Sequence, residues 1–373
     1  MKVYQEMIRE VQAKGTRKEN RTGVDTMSTF GHYYEVAWDP RMATGNTQYL
    51  GKSSEGTYKV PLLTTKSVSW KNIVSEMLWF LSGDPTIEIL KHHKCKFWDA
   101  WADEEGNVPM AYGQQWRRFP VPVEVPGEYG GPPTKELGVN DQIKWVLNEI
   151  RRSPMSRRLI VSAWAPALAQ TAKLPPCHLL FAFNVQLVEE TLGATYHRDV
   201  IKLPDIPRES ISRKFAAAYH MSPDGQKILR EEMACHGIFP KLEQRLCLHL
   251  TQRSCDLALG VPYNMASYGL LLLIFSQLTG IKPGIFAHTL VDLHVYTKKP
   301  DGSGSEYDHW PGLEEQLTRK PRELPELIID PSIKELEDIE ALMAPEVTTE
   351  EILGKFKLEG YDPHPAIRFK VAV

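Results

Sequence analysis

The stretch that most constrains the fold is residues 269–275 (GLLLLIF), the most apolar part of the chain. It is far shorter than the roughly 18 to 20 apolar residues that a membrane-spanning helix needs. The apolar pattern continues over residues 265–278, and a helix that is apolar all round has to be enclosed by other elements. The sequence therefore predicts a buried core helix here.

Hydrophobic periodicity predicts further elements on both sides of this helix. Apolar residues recur at helical spacing over residues 4–11, 69–81 and 140–152. Strand patterns, in which β-forming residues alternate or run continuously, cover residues 26–36, 159–164, 179–183 and 246–251. Because strands and helices do not alternate in strict βαβ order, the sequence favours an α+β fold.

Four other segments lack a core pattern. Residues 38–58 are typical of a surface loop, and residues 120–133 are so rich in proline that we expect irregular structure. Residues 187–245 are charged and mixed, which is typical of an insertion rather than of core. The tail from residue 300 is rich in Pro and Glu, with an exposed helix predicted at 335–343. We therefore predict one domain over residues 1–373 with an insertion at about 187–245.

Charge and cysteine content exclude several classes of protein. Lys and Arg number 44 against 47 Asp and Glu, a net charge of −3, so no global basic field attracts nucleic acid or a membrane surface. Five scattered cysteines are typical of a reducing compartment. The N-terminal segment carries charges where a signal peptide needs an apolar region. These features predict a cytoplasmic protein.

The best candidate for a nucleophile is Cys177, in the sequence Pro175-Pro176-Cys177-His178. Two prolines end the preceding segment and leave the thiol at the mouth of an apolar strand. A nucleophilic cysteine needs cationic neighbours that lower its pKa. An ordinary buried strand cysteine is the commoner alternative for a lone Cys. The adjacent His178 adds little, since neighbours on a strand point to opposite faces.

Arginines at three places could supply those cations or bind phosphate: Arg21, the pair Arg157-Arg158, and Arg253 beside Ser254. Arg with a nearby hydroxyl binds phosphate oxygens in a forked geometry. Each could equally be a solvated surface charge, although Arg253 directly continues a strand pattern. No metal-ligand spacing and no nucleotide-binding glycine motif is present in the sequence. Trp98 and Trp101 could stack on a flat heterocycle or simply pack in the core.

Taken together, ordered segments of the chain resemble the folate-dependent thymidylate synthase family. The match is collinear and runs from about residue 4 to Val373. Its segments are RTGVDTMSTFGH (21–32), LLTTK (62–66), EMLWFLSGD (76–84), FWDAWADEEG (97–106), YGQQWR (112–117), SRRLIVSAW (156–164), PPCH (175–178), QRSCDLALGVPYNMASY (252–268), HVY (294–296) and EGYDPHPAI (359–367).

The resemblance implies a fold, an activity and an assembly. The fold would be a mixed β-sheet packed by helices, with the sheet forming a homodimer interface. The activity would be methyl transfer in nucleotide biosynthesis, reductive methylation of dUMP to dTMP with 5,10-methylenetetrahydrofolate as co-substrate. Cytosine-specific relatives carry Asp where this chain has Asn264, and some phage relatives are hydroxymethylases, in which water replaces hydride.

The resemblance also implies roles for particular residues. Cys177 would add to C6 of the uracil ring, and Glu76, Tyr112, Asn264, Arg253 and Asp256 would complete the catalytic set. The nucleotide would be bound by Arg21, Arg253, Ser254, Asp256, Asn264, His178, His294 and Tyr296, joined by Arg157 and Arg158 from a second subunit. The folate would meet Trp98, Trp101, Asp256, Leu259, Lys66 and the terminal Val373.

The chain departs from the family pattern at two of the positions compared. Val291 stands where relatives usually have Gly, and its branched side chain is expected to crowd backbone or ligand. Ser69 stands where bacterial relatives often have His, which weakens the case for a folate contact there. The segment 187–245 is also much longer than the corresponding turn. A dUMP hydroxymethylase, or a catalytically silent binding protein of the same fold, therefore stands as an alternative.

Overall fold

The structure is a computed structural model, and it describes residues 1–20, 22–125, 134–169, 172–218 and 223–371. The chain divides into two compact units, residues 1–185 with 246–373 and residues 186–245. No helix within the described ranges is both long enough and apolar enough to cross a bilayer.

The helices are, in chain order, α1 (Lys2–Lys14), α2 (Trp70–Ser82), α3 (Glu88–His92), α4 (Tyr112–Arg117), α5 (Gln142–Arg152), α6 (Pro166–Ala169), α7 (Leu192–Asp199), α8 (Asp205–Ala218), α9 (Pro223–Cys235), α10 (Gly260–Thr279), α11 (Trp310–Thr318), α12 (Leu336–Ala341) and α13 (Thr349–Lys355). The strands are β1 (Thr16–Lys18), β2 (Asp25–Ala37), β3 (Gln48–Tyr49), β4 (Tyr58–Lys59), β5 (Phe119–Val125), β6 (Thr134–Asn140), β7 (Ile160–Ser162), β8 (His178–Glu189), β9 (Leu242–Asp256), β10 (Pro283–Thr297), β11 (Glu326–Ile329) and β12 (Phe356–Glu359).

The main sheet has the strand order β1-β2-β10-β9-β8-β7, and β3 also pairs with β2. Strand β10 runs antiparallel to β2 and parallel to β9. A parallel pair needs a crossover connection, and helix α10 supplies it between β9 and β10. The predicted α+β fold with a mixed sheet packed by helices is confirmed. The crossover also sets Ser254 of β9 beside Asp292 of β10.

The core of the larger unit is centred on α10, as its apolar sequence predicts. Leu270, Leu271 and Leu272 have no exposed surface, so the helix is enclosed on successive faces. Helix α2 packs on α10 and begins where the Ser69 side chain accepts a hydrogen bond from the Asn72 N–H. It ends at Gly83, whose left-handed φ of 71° suits glycine. These two helices fix the position of residues that the site uses.

One prediction of local structure was wrong and another was incomplete. The segment 120–133 was expected to be irregular, but β5 occupies Phe119–Val125 and pairs with β6, and residues 126–133 lie outside the described ranges. The pair forms a sheet of its own, so both strands are edge strands, and edge strands tolerate proline. The exposed helix predicted at 335–343 is present as α12, and only one side of it is exposed, since Leu336 and Ile339 are buried.

The unit Gln186–Arg245 has a small hydrophobic core of its own. Buried side chains from its helices meet there, namely Val200, Ile211, Leu229, Met233 and Ile238. The rings of Tyr196 and Phe215 stack at 4.3 Å beside this core. Although the sequence here is charged and mixed, the segment folds into helices rather than a simple loop. That it is an insertion, dispensable for chemistry, stays a prediction.

Candidate active site

A cavity of about 580 Å³ in the larger unit collects polar and aromatic side chains from several helices and strands and the loops between them. Twelve residues singled out from the sequence line it: Glu76, Trp98, Trp101, Tyr112, Cys177, His178, Arg253, Ser254, Asp256, Asn264, His294 and Tyr296. Arg21 and Val373 lie outside the described residues. The remaining four do not line the cavity: Lys66, Arg157, Arg158 and Leu259.

Cys177 is half-buried and is held by its backbone. Its N–H donates to the Tyr112 hydroxyl oxygen at 2.9 Å, and its carbonyl accepts from the Arg253 N–H at 2.8 Å. The Arg253 guanidinium donates to the carbonyls of Pro176 at 2.9 Å and Pro175 at 2.7 Å. The carbonyl groups of the two prolines therefore orient the Arg253 side chain. A permanent cation thus lies next to Cys177.

His178 lies in the same cavity as Cys177, which corrects the expectation that the two neighbours point to opposite faces. The strand β8 begins only at His178, so Cys177 precedes the strand and the alternation rule does not apply to it. The His178 ring stacks on Tyr112 with centroids 4.5 Å apart. Burial lowers the pKa of His178 to about 3, although a hydrogen bond with Asn264 acts to raise it. The ring is therefore neutral at pH 7.

Glu76, on α2, also lines the cavity. The Trp98 indole N–H donates to its Oε1 atom at 2.7 Å. Burial raises the pKa of Glu76 to about 7, although the Trp98 hydrogen bond acts in the opposite direction. A carboxyl group with a pKa near 7 can both hold and release a proton at neutral pH, which is what general acid–base catalysis needs.

A chain of hydrogen bonds fixes the Asn264 amide. The Gln252 amide N–H donates to Asn264 Oδ1 at 3.1 Å, and Gln252 Oε1 lies 3.0 Å from His288 Nε2. His288 Nδ1 in turn lies 3.0 Å from the Tyr34 hydroxyl. Burial lowers the pKa of His288 well below its usual value, so Nε2 carries the proton and Nδ1 accepts one. Sequence reasoning assigned no role to Gln252, His288 or Tyr34; polar residues at buried positions of β9, β10 and β2 were the available signal.

A second polar cluster surrounds Asp292 at the cavity wall. Its carboxylate accepts from Ser28 at 2.5 Å and from Lys18 at 3.2 Å, and His294 Nδ1 lies 3.6 Å away. The neighbouring His294 imidazole and then the hydrogen bond from Ser28 hold the pKa of Asp292 well below its usual range. Burial lowers the pKa of His294, but the bond to Asp292 and the charge of Asp256 outweigh it and leave that pKa raised. Sequence reasoning missed Asp292, Ser28 and Lys18.

Lys66 and Leu259 lie just behind the cavity wall. The Lys66 ammonium donates to the Ala258 carbonyl at 2.6 Å. Burial lowers the pKa of Lys66 to about 8, although the negative charge of Asp256 acts to raise it. The backbone N–H groups of Ala258 and Leu259 both donate to Asp256 Oδ1. Both predicted folate residues therefore connect to the cavity through Asp256 instead of lining it.

In a comparison with sequence models of protein families, the model described as thymidylate synthase matches residues 2–200 and 205–373. The chain belongs to the thymidylate synthase family. The cavity of this family member thus holds a half-buried cysteine, a carboxyl group whose pKa is near 7 and a fixed amide within one enclosure.

In this thymidylate synthase family member, neither of the two residues that depart from the family pattern lines the cavity. Val291 is half-buried between Leu290 and Asp292 and does not line the cavity. The expectation that its side chain would crowd a ligand therefore finds no support in the described part of the chain. Ser69 caps helix α2, so its side chain has a local structural partner.

Proposed function

We propose that this member of the family is a thymidylate synthase, which converts dUMP to dTMP with 5,10-methylenetetrahydrofolate and releases dihydrofolate. The observation that carries the proposal is the placement of Cys177 between Tyr112 and Arg253, in one cavity with Glu76 and Asn264. Each of these groups has a use in activating a uracil ring, and the chemistry below assigns them.

Cys177 is proposed to attack C6 of uracil. C5 of uracil is a poor nucleophile, and addition of a thiolate at C6 converts the ring into an enolate that is nucleophilic at C5. Arg253 favours the thiolate because a nearby cation lowers a thiol's pKa. Burial raises the pKa of Tyr112, so the hydroxyl, whose oxygen accepts from the Cys177 N–H, keeps its own proton. It is proposed to donate a hydrogen bond to a water that takes the C5 proton.

Asn264 is proposed to read the base, with Glu76 handling protons near O4. An amide presents one acceptor and one donor, which match uracil N3–H and O4. Since Gln252 donates to Oδ1, the amide cannot flip without losing that bond. His294 and Tyr296 are proposed to bind the ribose 3′-hydroxyl. Ser254, Arg253 and Arg21 are proposed to bind the phosphate.

The folate is proposed to bind beside the indole rings that line the cavity. Trp98 and Trp101 line it together with Phe80 and Leu174, and flat indole surfaces suit a pterin ring. The reduced folate supplies the one-carbon unit and the hydride when bound. The role of the indoles is to keep that end of the site dry, because hydride transfer has to outrun attack by water.

The alternative function is a dUMP hydroxymethylase, which shares every step before hydride transfer. The Trp98 and Trp101 walls favour the synthase, and Val291 no longer argues against it because it does not line the cavity. Incubation with dUMP and methylenetetrahydrofolate decides between them. We expect an absorbance rise at 340 nm from dihydrofolate and a nucleotide of the mass of dTMP. A product heavier by one oxygen, with no dihydrofolate, would identify the hydroxymethylase; no reaction at all would leave a silent binding protein.

A homodimer is part of the proposal. Arg157 and Arg158 are exposed, stand just before the edge strand β7 and do not line the cavity of their own chain. Large apolar side chains on strands of the same sheet are exposed as well, Phe30 to 87% and Ile160 to 48%. A second copy that covers this sheet would bury them and would bring the arginines to its partner's phosphate site.

Mixing an Arg157 variant with a Cys177 variant should restore turnover at low dUMP if the arginines act across the dimer. We expect Arg157→Ala to raise the KM for dUMP and Cys177→Ser to be inactive. In a hybrid dimer, one site has both an intact Cys177 and an intact Arg157 from the other subunit, so turnover at low dUMP should reappear on mixing. Arg152→Ala, at an exposed arginine paired with Glu149, is the control and should leave KM unchanged. An active monomer in sedimentation experiments would contradict the assignment.

Asn264→Asp should shift preference from dUMP towards dCMP. A protonated carboxyl presents a donor and an acceptor that match cytosine N3 and N4, whereas an ionised one repels uracil O4. Mispaired groups in a desolvated site cost about 1–3 kcal/mol each, so we expect the ratio of kcat/KM values to change about tenfold or more. Asn264→Ala is the control, which should lose dUMP turnover without gaining dCMP. An unchanged ratio in Asn264→Asp would show that this residue does not read the base.

A further inference from the structure

The aromatic ring of Phe369, near the C-terminus, lies between a cation and an imidazole. The Lys66 ammonium is 4.8 Å from the centre of the Phe369 ring, and the His309 ring centroid is 4.9 Å from it. His309 is buried, and its Nε2 atom lies 3.0 Å from the Lys370 carbonyl oxygen. Since a carbonyl only accepts, the imidazole N–H donates to it. Val371, two residues further on, is 56% exposed.

Because Gly312 has no side chain, the C-terminal segment can pack directly against it. A Cβ atom at this position would lie 2.6 Å from Phe369 Cε1 and 2.7 Å from Ile367 Cγ2, so the segment could not lie where it does. Gly312 is in the first turn of α11, where alanine would be the better helix former. The need for glycine here therefore comes from the C-terminal segment and not from the helix.

The same residues connect the C-terminal segment to the cavity wall. Lys66 donates to the Ala258 carbonyl, next to the residues that Asp256 caps. His309 Nδ1 has no hydrogen-bond partner among the described residues and lies 3.9 Å from Asp256 Oδ1. Asp256 itself lines the cavity. Removing Phe369 would leave the buried Lys66 ammonium without its aromatic partner.

We propose that Lys66, His309 and Gly312 form a tail-docking site for Phe369, which holds residues 367–371 against the larger unit. Phe369 is then a positioning residue, since it holds residues 367–371 beside Lys66 and His309, next to the wall that carries Asp256. The docking itself follows from the contacts above, whereas its effect on turnover rests on the proposed function. Two experiments separate the two claims.

The first experiment tests docking without any substrate. Carboxypeptidase Y digestion of the intact protein is followed by mass spectrometry, comparing wild type with Gly312→Ala. The tail sequence is identical in both, so enzyme preference cannot differ. We expect loss of Phe369 to be about tenfold faster in Gly312→Ala, because overpacking of this size displaces the ring. Gly354→Ala is the matched control, since a Cβ added to this helical glycine would have nothing within 4 Å of it. Equal trimming of Gly312→Ala and wild type would overturn the proposal.

The second experiment asks whether docking affects catalysis, through the double variant Gly312→Ala/Phe369→Ala. We expect each single variant to lower kcat/KM for methylenetetrahydrofolate about tenfold while the Kd for dUMP alone stays unchanged. Removal of the ring makes room for the new Cβ, so adding Gly312→Ala to Phe369→Ala should cost little more. A purely structural defect would weaken dUMP binding and lower Tm in parallel, and additive losses would contradict the shared site. If no variant and no wild type forms dihydrofolate, the proposed function fails while the digestion result still stands.

Discussion

Replacing Cys177 with serine is expected to lower kcat by more than about 10³-fold, several kcal/mol of barrier. A serine hydroxyl has a far higher pKa than a thiol, and the neighbouring imidazole is a weak base, because burial lowers the pKa of His178 to about 3. Arg253 can favour a thiolate by its charge but cannot deprotonate an alcohol. The rate of dihydrofolate formation measures the loss directly.

Nucleotide binding should survive this change, because Cys177 is one of many residues that line the cavity. Calorimetric titration with dUMP is the check, and a Kd within a few-fold of wild type is expected. Cys235→Ser, at an exposed cysteine of the unit Gln186–Arg245, is the matched control and should keep full activity. Substantial turnover in Cys177→Ser would remove Cys177 from the role of nucleophile.

Replacing Glu76 with glutamine should lower kcat by about 10²- to 10⁴-fold, the usual contribution of a general acid–base group. The amide keeps the shape of the side chain and can still accept from the Trp98 indole, but it cannot carry a proton to or from the ring. Glu88→Gln, at an exposed glutamate of α3 that pairs with Lys91, controls for loss of a negative charge. Retention of activity in Glu76→Gln would exclude Glu76 from proton transfer.

The same variant should change how stability depends on pH. The pKa of Glu76 is about 7 in the folded protein and about 4.3 in an unfolded chain. The folded state therefore binds more protons between these values, so this group's stabilising contribution is present below about pH 4 and is lost as pH rises to 7. Urea unfolding at pH 5 and pH 8 should show a smaller loss of stability for Glu76→Gln than for wild type. An equal loss in both proteins would contradict the raised pKa.

The sequence predicts elements well where one periodic pattern decides the outcome. Helix α5 buries Ile143, Val146, Leu147 and Ile150, the same four positions that its spacing selects. The strand β5 was missed because its prolines predict irregular structure when the segment is considered alone. The strand forms because it pairs with β6, which lies further along the chain.

For the candidate site, the residues could be predicted but some of the contacts between them could not. Resemblance to a family, rather than spacing, supplied the list of residues, and twelve of them line one cavity. The hydrogen-bonded chain behind Asn264 could not be predicted, because its bonds join residues as far apart as Tyr34 and His288, 254 positions in sequence. Which buried polar groups meet depends on strand order, and no local pattern records that order.

The pairing of β2 with β10 has a consequence for how the protein is made. At a ribosomal rate of about 5–20 residues per second, roughly 10 to 50 seconds separate the emergence of Tyr34 from that of His288. During that interval one long side of β2 has no native neighbour, and β9 and α10 have not yet been completed for most of it. An unpaired strand edge invites association with other nascent chains. The yield of active enzyme in a cell should therefore depend on chaperones that bind the first half of the chain during translation.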